Sequence, residues 1–130
     1  MAAGSEFQYT ILRVVPALDR GERINVGVVV FCRQLAFLAA RAEIDRERLW
    51  ALAPAIDPDQ VAIHLEAICA VVEGRPEAGP LALLPPSERF GWLAAPSSTV
   101  IQPSAVHTGL TEDPQATLQR LFESLVRTAA

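Results

Sequence analysis

The segment from Ser97 to Pro114 carries the side chains best suited to chemistry, because hydroxyls, an amide and an imidazole occur there with little charge. His107 could act as a general acid, a general base or a donor to an anion. Ser104 lies three residues away but lacks the glycine-flanked turn that exposes a hydrolase serine, so a catalytic triad is weakly indicated. The alternative is that His107, which precedes Thr108, hydrogen-bonds the backbone of its own loop.

Arg13 and Arg41 interrupt otherwise apolar segments that are predicted to form strands. A guanidinium in such a place must find a carboxylate, a carbonyl group or a ligand anion. Because buried charges are usually paired within the protein, ion pairs are favoured over an anion site. The carboxylates available as partners are those of Asp19, Glu22 and Glu43.

Neutral donors and acceptors complete the candidate set. Asn25 enters an apolar strand beside Gly27, where its amide can bond to the backbone or to a ligand. Ser98, Thr99 and Gln102 could line a pocket in the later polar segment. The predicted binding residues are Arg13, Asn25, Arg41, Thr99, Gln102, His107 and Thr108. No residue is assigned a catalytic role.

Composition excludes several classes of function. All eleven basic residues are arginines, and the absence of lysine excludes Schiff-base catalysis and a phosphate-loop lysine. The formal charge is −4 with no basic cluster, so nucleic-acid binding is not expected. No apolar run reaches the ~20 residues that span a bilayer, and no signal-peptide pattern opens the chain, so we expect no membrane partner and a cytoplasmic location.

Cys32 and Cys69 have no second cysteine or histidine at metal-ligand spacing, so neither a metal site nor a cofactor is predicted. Both lie in strongly apolar segments, which favours reduced, buried thiols that pack as small hydrophobic groups.

Hydrophobic patterns predict an α+β fold with an antiparallel sheet of three to four strands covered by three to four helices. Residues 7–15 are predicted to form the first strand. Residues 24–33 are apolar on both alternating faces, which predicts the central strand, and Gly27 indicates a bulge or a close approach. Residues 35–44 provide a third strand of an antiparallel meander, and residues 99–102 have strand character.

Helix signals follow these strands. Asp45, Asp57 and Asp113 are predicted helix caps, with a proline after each of the last two and Gln60 completing a capping box. Residues 86–93 are predicted to form a third helix, and residues 74–86 an ordered loop packed by Leu81, Leu83 and Leu84. A single domain covers residues 7–130. Residues 1–6 are expected to be a disordered or cloning-derived extension, because Gly4–Phe7 resemble translated cloning sites.

Three stretches resemble a known bacterial family: YTILRVVPALDRGERINVGVVVFC, LAARAEID and RFGWLAAPSSTVIQPSAVHTGLTEDP. They are similar to the uncharacterised proteins called domain of unknown function 3037, over residues 7–126. No catalytic residues are established for that family, so none are transferred. The resemblance implies a small stand-alone cytoplasmic protein that is often encoded beside a kinase of the HipA type.

Three hypotheses about function remain open. The leading one is an accessory protein that binds and modulates a protein partner, with the HipA-type kinase as a candidate, through the arginine-bearing strands and residues 97–111. The alternative is a small enzyme or a nucleotide- or anion-binding domain that uses His107 with Arg13, Arg41 and Gln102. Missing glycine-rich loops, metal clusters and lysine count against it. The third is a structural homo-oligomer formed through an edge strand or through Leu81–Leu84.

Overall fold

Five strands and four helices form the described part of the chain, which is residues 4–17, 19–97 and 99–127 of a computed structural model. In chain order they are β1 (Ser5–Val14), β2 (Ile24–Cys32), β3 (Phe37–Ala42), α1 (Arg46–Leu52), α2 (Pro58–Val72), α3 (Pro86–Ala94), β4 (Ile101–Pro103), β5 (His107–Thr111) and α4 (Pro114–Leu125). Two 3₁₀ turns, Pro76–Ala78 and Pro80–Leu83, precede α3. The α+β class is confirmed.

The sheet is antiparallel, and β1, β2 and β3 form the predicted meander. Both β4 and β5 pair with β1: β4 lies beside Leu12–Val14 and β5 beside residues 5–9. The two short strands therefore lie end to end along one edge, and the sheet is four strands wide although it contains five. At the break between them, Ser104 Oγ accepts a hydrogen bond from the backbone N–H of Ile11 at 2.9 Å.

The interior strand β2 is apolar on both faces because each face is covered by helices. One face of the sheet packs Leu12, Val26 and Phe31 against α1, α2 and α3. The other packs Val28 and Val30 against α4. Every residue of β2 except Asn25 is buried, which confirms the prediction that this strand lies inside the sheet.

Gly27 shows both features that its position in β2 predicts. The pairing between β1 and β2 shifts register between Leu12 and Arg13, directly opposite Gly27. A Cβ atom at Gly27 would lie 3.1 Å from the carbonyl oxygen of Arg41 and 3.3 Å from Leu12 Cδ1. The neighbouring strands are therefore fitted to a residue without a side chain.

The three predicted aspartate caps are present. Asp45 accepts from the N–H of Arg48, Asp57 from that of Asp59 and Asp113 from that of Ala116. These bonds satisfy backbone donors that the first turn of a helix leaves free. The return bond predicted for Gln60 does not occur among the hydrogen bonds of the described residues, and the cap of α2 depends on Asp57 alone.

Several boundaries differ from the predicted ones. β1 begins at Ser5 and ends at Val14, because Ser5 and Glu6, expected in an N-terminal extension, pair with Thr111 and Leu110 of β5. The strand predicted over 99–102 is Ile101–Pro103. The loop predicted over 74–86 contains the two 3₁₀ turns, and Leu83 is exposed there instead of packed.

Candidate functional site

One part of the sheet face beside α4 is left partly open. The helix packs against β2 and β3, while side chains of β1, β4 and β5 on the same face keep access to solvent. Residues directly opposite across two strands point to the same face, as do alternate residues of one strand. The pairs Tyr9–His107 and Arg13–Gln102 are of this kind. We call the resulting set the open strip: Tyr9, Ile11, Arg13, Gln102 and His107.

His107 is exposed at one end of the open strip and stacks on Tyr9, with ring centroids 5.1 Å apart and an interplanar angle of 28°. Tyr9 in turn stacks on the buried ring of Phe7 at 6.0 Å. The prediction that His107 lies in a loop is wrong, because it opens strand β5. Among the described residues, the imidazole of His107 forms no hydrogen bond to the local backbone.

Arg13 lies near the end of β1, between β2 and β4, and forms none of the ion pairs found among the described residues. Its Nη2 donates to the carbonyl oxygen of Pro103 at 3.2 Å, and its Nε is buried without a partner. Burial, and secondarily the positive charge of Arg23, lower the pKa of Arg13. Glu22, an expected partner, instead pairs with Arg20.

Gln102 faces Arg13 across the strand pair, and its own amide is held by the preceding turn. Gln102 Nε2 donates to the carbonyl oxygen of Thr99 at 2.9 Å. The Thr99 hydroxyl donates to the carbonyl oxygen of Ile101 at 2.7 Å and also bonds to the Ser97 hydroxyl at 2.8 Å. Thr99 therefore organises the turn that leads into β4 and positions Gln102. Ser98 lies outside the described residues.

Arg41 and Asn25 fasten α4 to the sheet instead of lining a pocket. Arg41 donates to the side-chain oxygen of Gln119, and its guanidinium carbon lies 4.7 Å from the ring centroid of Phe122. Asn25 Nδ2 donates to the carbonyl oxygen of Leu125 at 3.0 Å. For Arg41, the side-chain oxygen of Gln119 and the ring of Phe122 take the place of the expected ion pair.

Glu43, the other carboxylate expected for Arg41, pairs with Arg127 through two hydrogen bonds of 2.9 and 3.1 Å. The bond from Arg127 lowers the pKa of Glu43. Thr108 points to the opposite face of the sheet and is exposed. Of the seven predicted binding residues, three meet in the open strip: Arg13, Gln102 and His107.

The side chains of Ser104, Cys32 and Cys69 are hydrogen-bonded or at least partly buried. The Ser104 hydroxyl accepts a hydrogen bond from the N–H of Ile11 and donates one to the carbonyl oxygen of Ala105 at 2.8 Å. It therefore satisfies backbone groups at the point where β4 ends and before β5 begins. Cys32 is buried and free, and Cys69 is partly buried. Burial raises the pKa of Cys69 to about 11.

The described residues contain no group of three or more histidine, cysteine, aspartate or glutamate side chains placed to hold a metal ion. Nor do they include a helix long and apolar enough to cross a membrane.

Sequence reasoning missed Tyr9 and Arg23 as members of this region. Tyr9, Ile11 and Arg13 alternate along one strand, so their shared face could be read from the sequence. The contribution of Arg23 depends on the pairing of Val14 with Ile24, which brings the loop before β2 beside the end of β1.

This fold and site define a small α+β protein with one half-covered sheet face and an uncharged edge strand beside it. The chain belongs to the family described as Protein of unknown function (DUF3037), which matches residues 9–126. The resemblance drawn from the sequence is thereby confirmed. No curated protein and no solved structure matches the chain.

Proposed function

We propose that this protein is an accessory module that binds an extended segment of a partner protein along β5 and across the open strip. The observation that carries the proposal is the exposed His107–Tyr9 stack on a strand at the sheet edge. An aromatic pair with free edges offers contact area at a low cost in side-chain entropy.

The edge itself supports strand addition by a partner. Within the described residues β5 pairs with β1 alone, so its outer backbone groups face away from the sheet. Proteins usually protect such an edge with charges, proline or a bulge, but residues 107–111 contain no charged residue and no proline. Leu110 is 63% exposed and Val106 is 39% exposed, which adds apolar surface beside the free edge.

Successive side chains of β5 point to opposite faces of the sheet, so a partner strand paired with β5 would contact both the open strip and the surface around Leu110. A strand added to this edge would place alternate side chains over the open strip, beside His107, and over Leu110 on the opposite face. A five-residue edge is small compared with the ~800 Å² that each partner buries in a specific complex. We therefore assign the remaining contact area to the open strip.

The HipA-type kinase implied by the family resemblance is the first partner to test, because an accessory protein encoded beside a kinase would modulate it by binding. The partner is proposed to act in the cytoplasm. The rival hypothesis of a small enzyme that uses His107 with Arg13, Arg41 and Gln102 has less support, since Arg41 is engaged by Gln119 and Phe122.

Affinity purification from cells expressing the protein at native level, followed by calorimetry with the purified kinase, tests this function. The variants Leu110→Glu and His107→Ala should lose the partner. The matched controls are Leu83→Glu, since Leu83 is 67% exposed outside the sheet, and His64→Ala on α2. Both should retain it, and all four variants are checked for cooperative melting.

Each outcome decides the proposal. Loss of a stoichiometric partner only in the two β5 variants supports it. Equal retention by all variants contradicts the proposed surface, and absence of any stoichiometric partner contradicts the function. A wild-type dimer that Leu110→Glu converts to a monomer would show that a second copy occupies the edge, and would replace this proposal with the homo-oligomer.

A further inference from the structure

Arg13 carries a positive charge that the described protein does not neutralise. It is partly buried near the end of β1, at the pairing positions of Asn25 and Gln102. Both neighbours are neutral amides, and each amide nitrogen already donates to a backbone carbonyl, of Leu125 and Thr99 respectively. A partly buried charge without a counter-charge lowers stability, so an arginine at this position needs a physical explanation.

The other strand arginine and the other arginine with a buried, unpartnered Nε are both better satisfied. Arg41 has a side-chain oxygen and the face of Phe122. Arg89 donates from Nη1 to the carbonyl oxygen of Leu84 at 2.7 Å and from Nη2 to that of Val72 at 3.5 Å, where the last carbonyl groups of α2 favour a cation. Arg13 has one carbonyl contact, so most of its five donors remain free.

The surroundings of Arg13 favour an anion over any other ligand. The loop residue Arg23 precedes Ile24, which pairs with Val14, so its positive charge lies beside the end of β1 and lowers the pKa of Arg13. The nearby acid Glu22 is engaged by Arg20. A guanidinium presents paired donors that match the two oxygens of a carboxylate or a phosphate group.

The geometry points to Arg13 as an oxyanion-binding subsite of the open strip, which takes a carboxylate or phosphate group carried by the partner segment, with Arg23 strengthening the field. Its identification as part of a partner's footprint rests on the proposed function, whereas oxyanion binding itself does not. The partner segment would then be acidic or phosphorylated at the residue that lies over Arg13.

Nuclear magnetic resonance of the arginine Nε–Hε groups in the intact protein tests the subsite. Because Arg13 Nε is shielded from solvent, its proton should exchange slowly enough to give a signal. Inorganic phosphate and acetate are titrated separately at constant ionic strength. The Arg13 signal should move and saturate, while the signal of Arg89, whose Nε is also buried and whose Nη atoms donate to two carbonyl groups, should move little. In the Arg23→Gln variant, the affinity should fall several-fold.

Saturation with phosphate at lower concentration than with acetate supports a phosphorylated segment, and the reverse order supports an acidic one. An Arg13 signal unmoved by both anions, or parallel movement of the Arg89 signal, overturns the subsite. Unchanged affinity in Arg23→Gln overturns the part assigned to Arg23. If the anion binds Arg13 but His107→Ala and Leu110→Glu bind the partner as tightly as the wild-type protein, the subsite is supported and the proposed function fails. If those variants lose affinity for the partner and no anion binds Arg13, the proposed function is supported and the subsite fails.

Discussion

Replacing Gly109 with alanine tests the pairing of β5 with β1, on which the open strip depends. A Cβ atom at Gly109 would lie 2.7 Å from Phe7 Cε1 and 2.8 Å from Phe7 Cζ. Carbon atoms pack at about 3.5–4.0 Å, so one of the two groups must move by about 0.8 Å or more.

The ring of Phe7 has little room to move. It is 5% exposed and packs in the core beneath α4 together with Leu118 and Phe122. Overpacking at such a position costs about 1–3 kcal/mol. For a chain of this length, that free energy corresponds to a fall in melting temperature of roughly 3–5 °C for each kcal/mol.

Thermal melting followed by circular dichroism measures this effect, and Gly91→Ala provides a matched control. Gly91 lies inside α3, and a Cβ atom there meets nothing within 4 Å. Alanine in a helix interior is more stable than glycine by about 0.5–1 kcal/mol. The same chemical change should therefore raise the melting temperature at position 91 and lower it at position 109.

A second substitution separates steric conflict from other effects. In a Phe7→Leu background the contacting ring atoms are absent, so Gly109→Ala should cost much less than in the wild-type background. If Gly109→Ala melts like the wild-type protein, or costs the same with Phe7 and with leucine, then β5 does not pair with β1 in this register and the open strip is wrongly assembled.

Three further predictions concern the rest of the fold. Val28→Asp places an unpaired carboxylate at a fully buried position of β2 and should abolish cooperative melting. In the wild-type protein, the amide protons of β2 should be among the slowest to exchange with solvent. Rapid exchange of these protons would contradict the sheet order. The raised pKa of Cys69, about 11, predicts slow alkylation at neutral pH that accelerates as pH rises, and a loss of stability as pH rises from its ordinary pKa toward that value; fast labelling at neutral pH would refute it. Because Arg127 lowers the pKa of Glu43, Glu43→Gln should lower the melting temperature slightly near neutral pH, and this difference should vanish as pH falls below the ordinary pKa of a glutamate or as salt is added; a difference independent of pH would remove the ion pair from the account.

The fold was predictable where one strong pattern decided the structure. Residues 24–32 are apolar at nearly every position and rich in valine, which favours a strand covered on both faces. The caps at Asp57 and Asp113 combine aspartate with proline, a local signal that tertiary contacts do not override. Strand β5 gave no such signal, because an exposed edge strand needs no hydrophobic alternation.

The candidate site was predictable only in part, since the sequence shows residue types but not their partners. Arg13 and Arg41 look alike in the sequence, each inside a strand. The position of α4 separates them, because it supplies Gln119 and Phe122 to Arg41 and leaves Arg13 uncovered. Likewise, His107 stacks on Tyr9 because of its register in β5. That register depends on the interruption of strand pairing at Ser104, between β4 and β5.

The most direct test of the proposed binding surface is the paired measurement of stability and partner affinity for His107→Ala. An exposed aromatic stack contributes about 0.5–1 kcal/mol to folding, so the variant should melt within a few degrees of the wild-type protein. If His107 contacts the partner, its affinity should fall by about tenfold or more. A variant that melts markedly lower, yet binds the partner normally where it remains folded, would show that His107 serves the fold alone and would contradict the account.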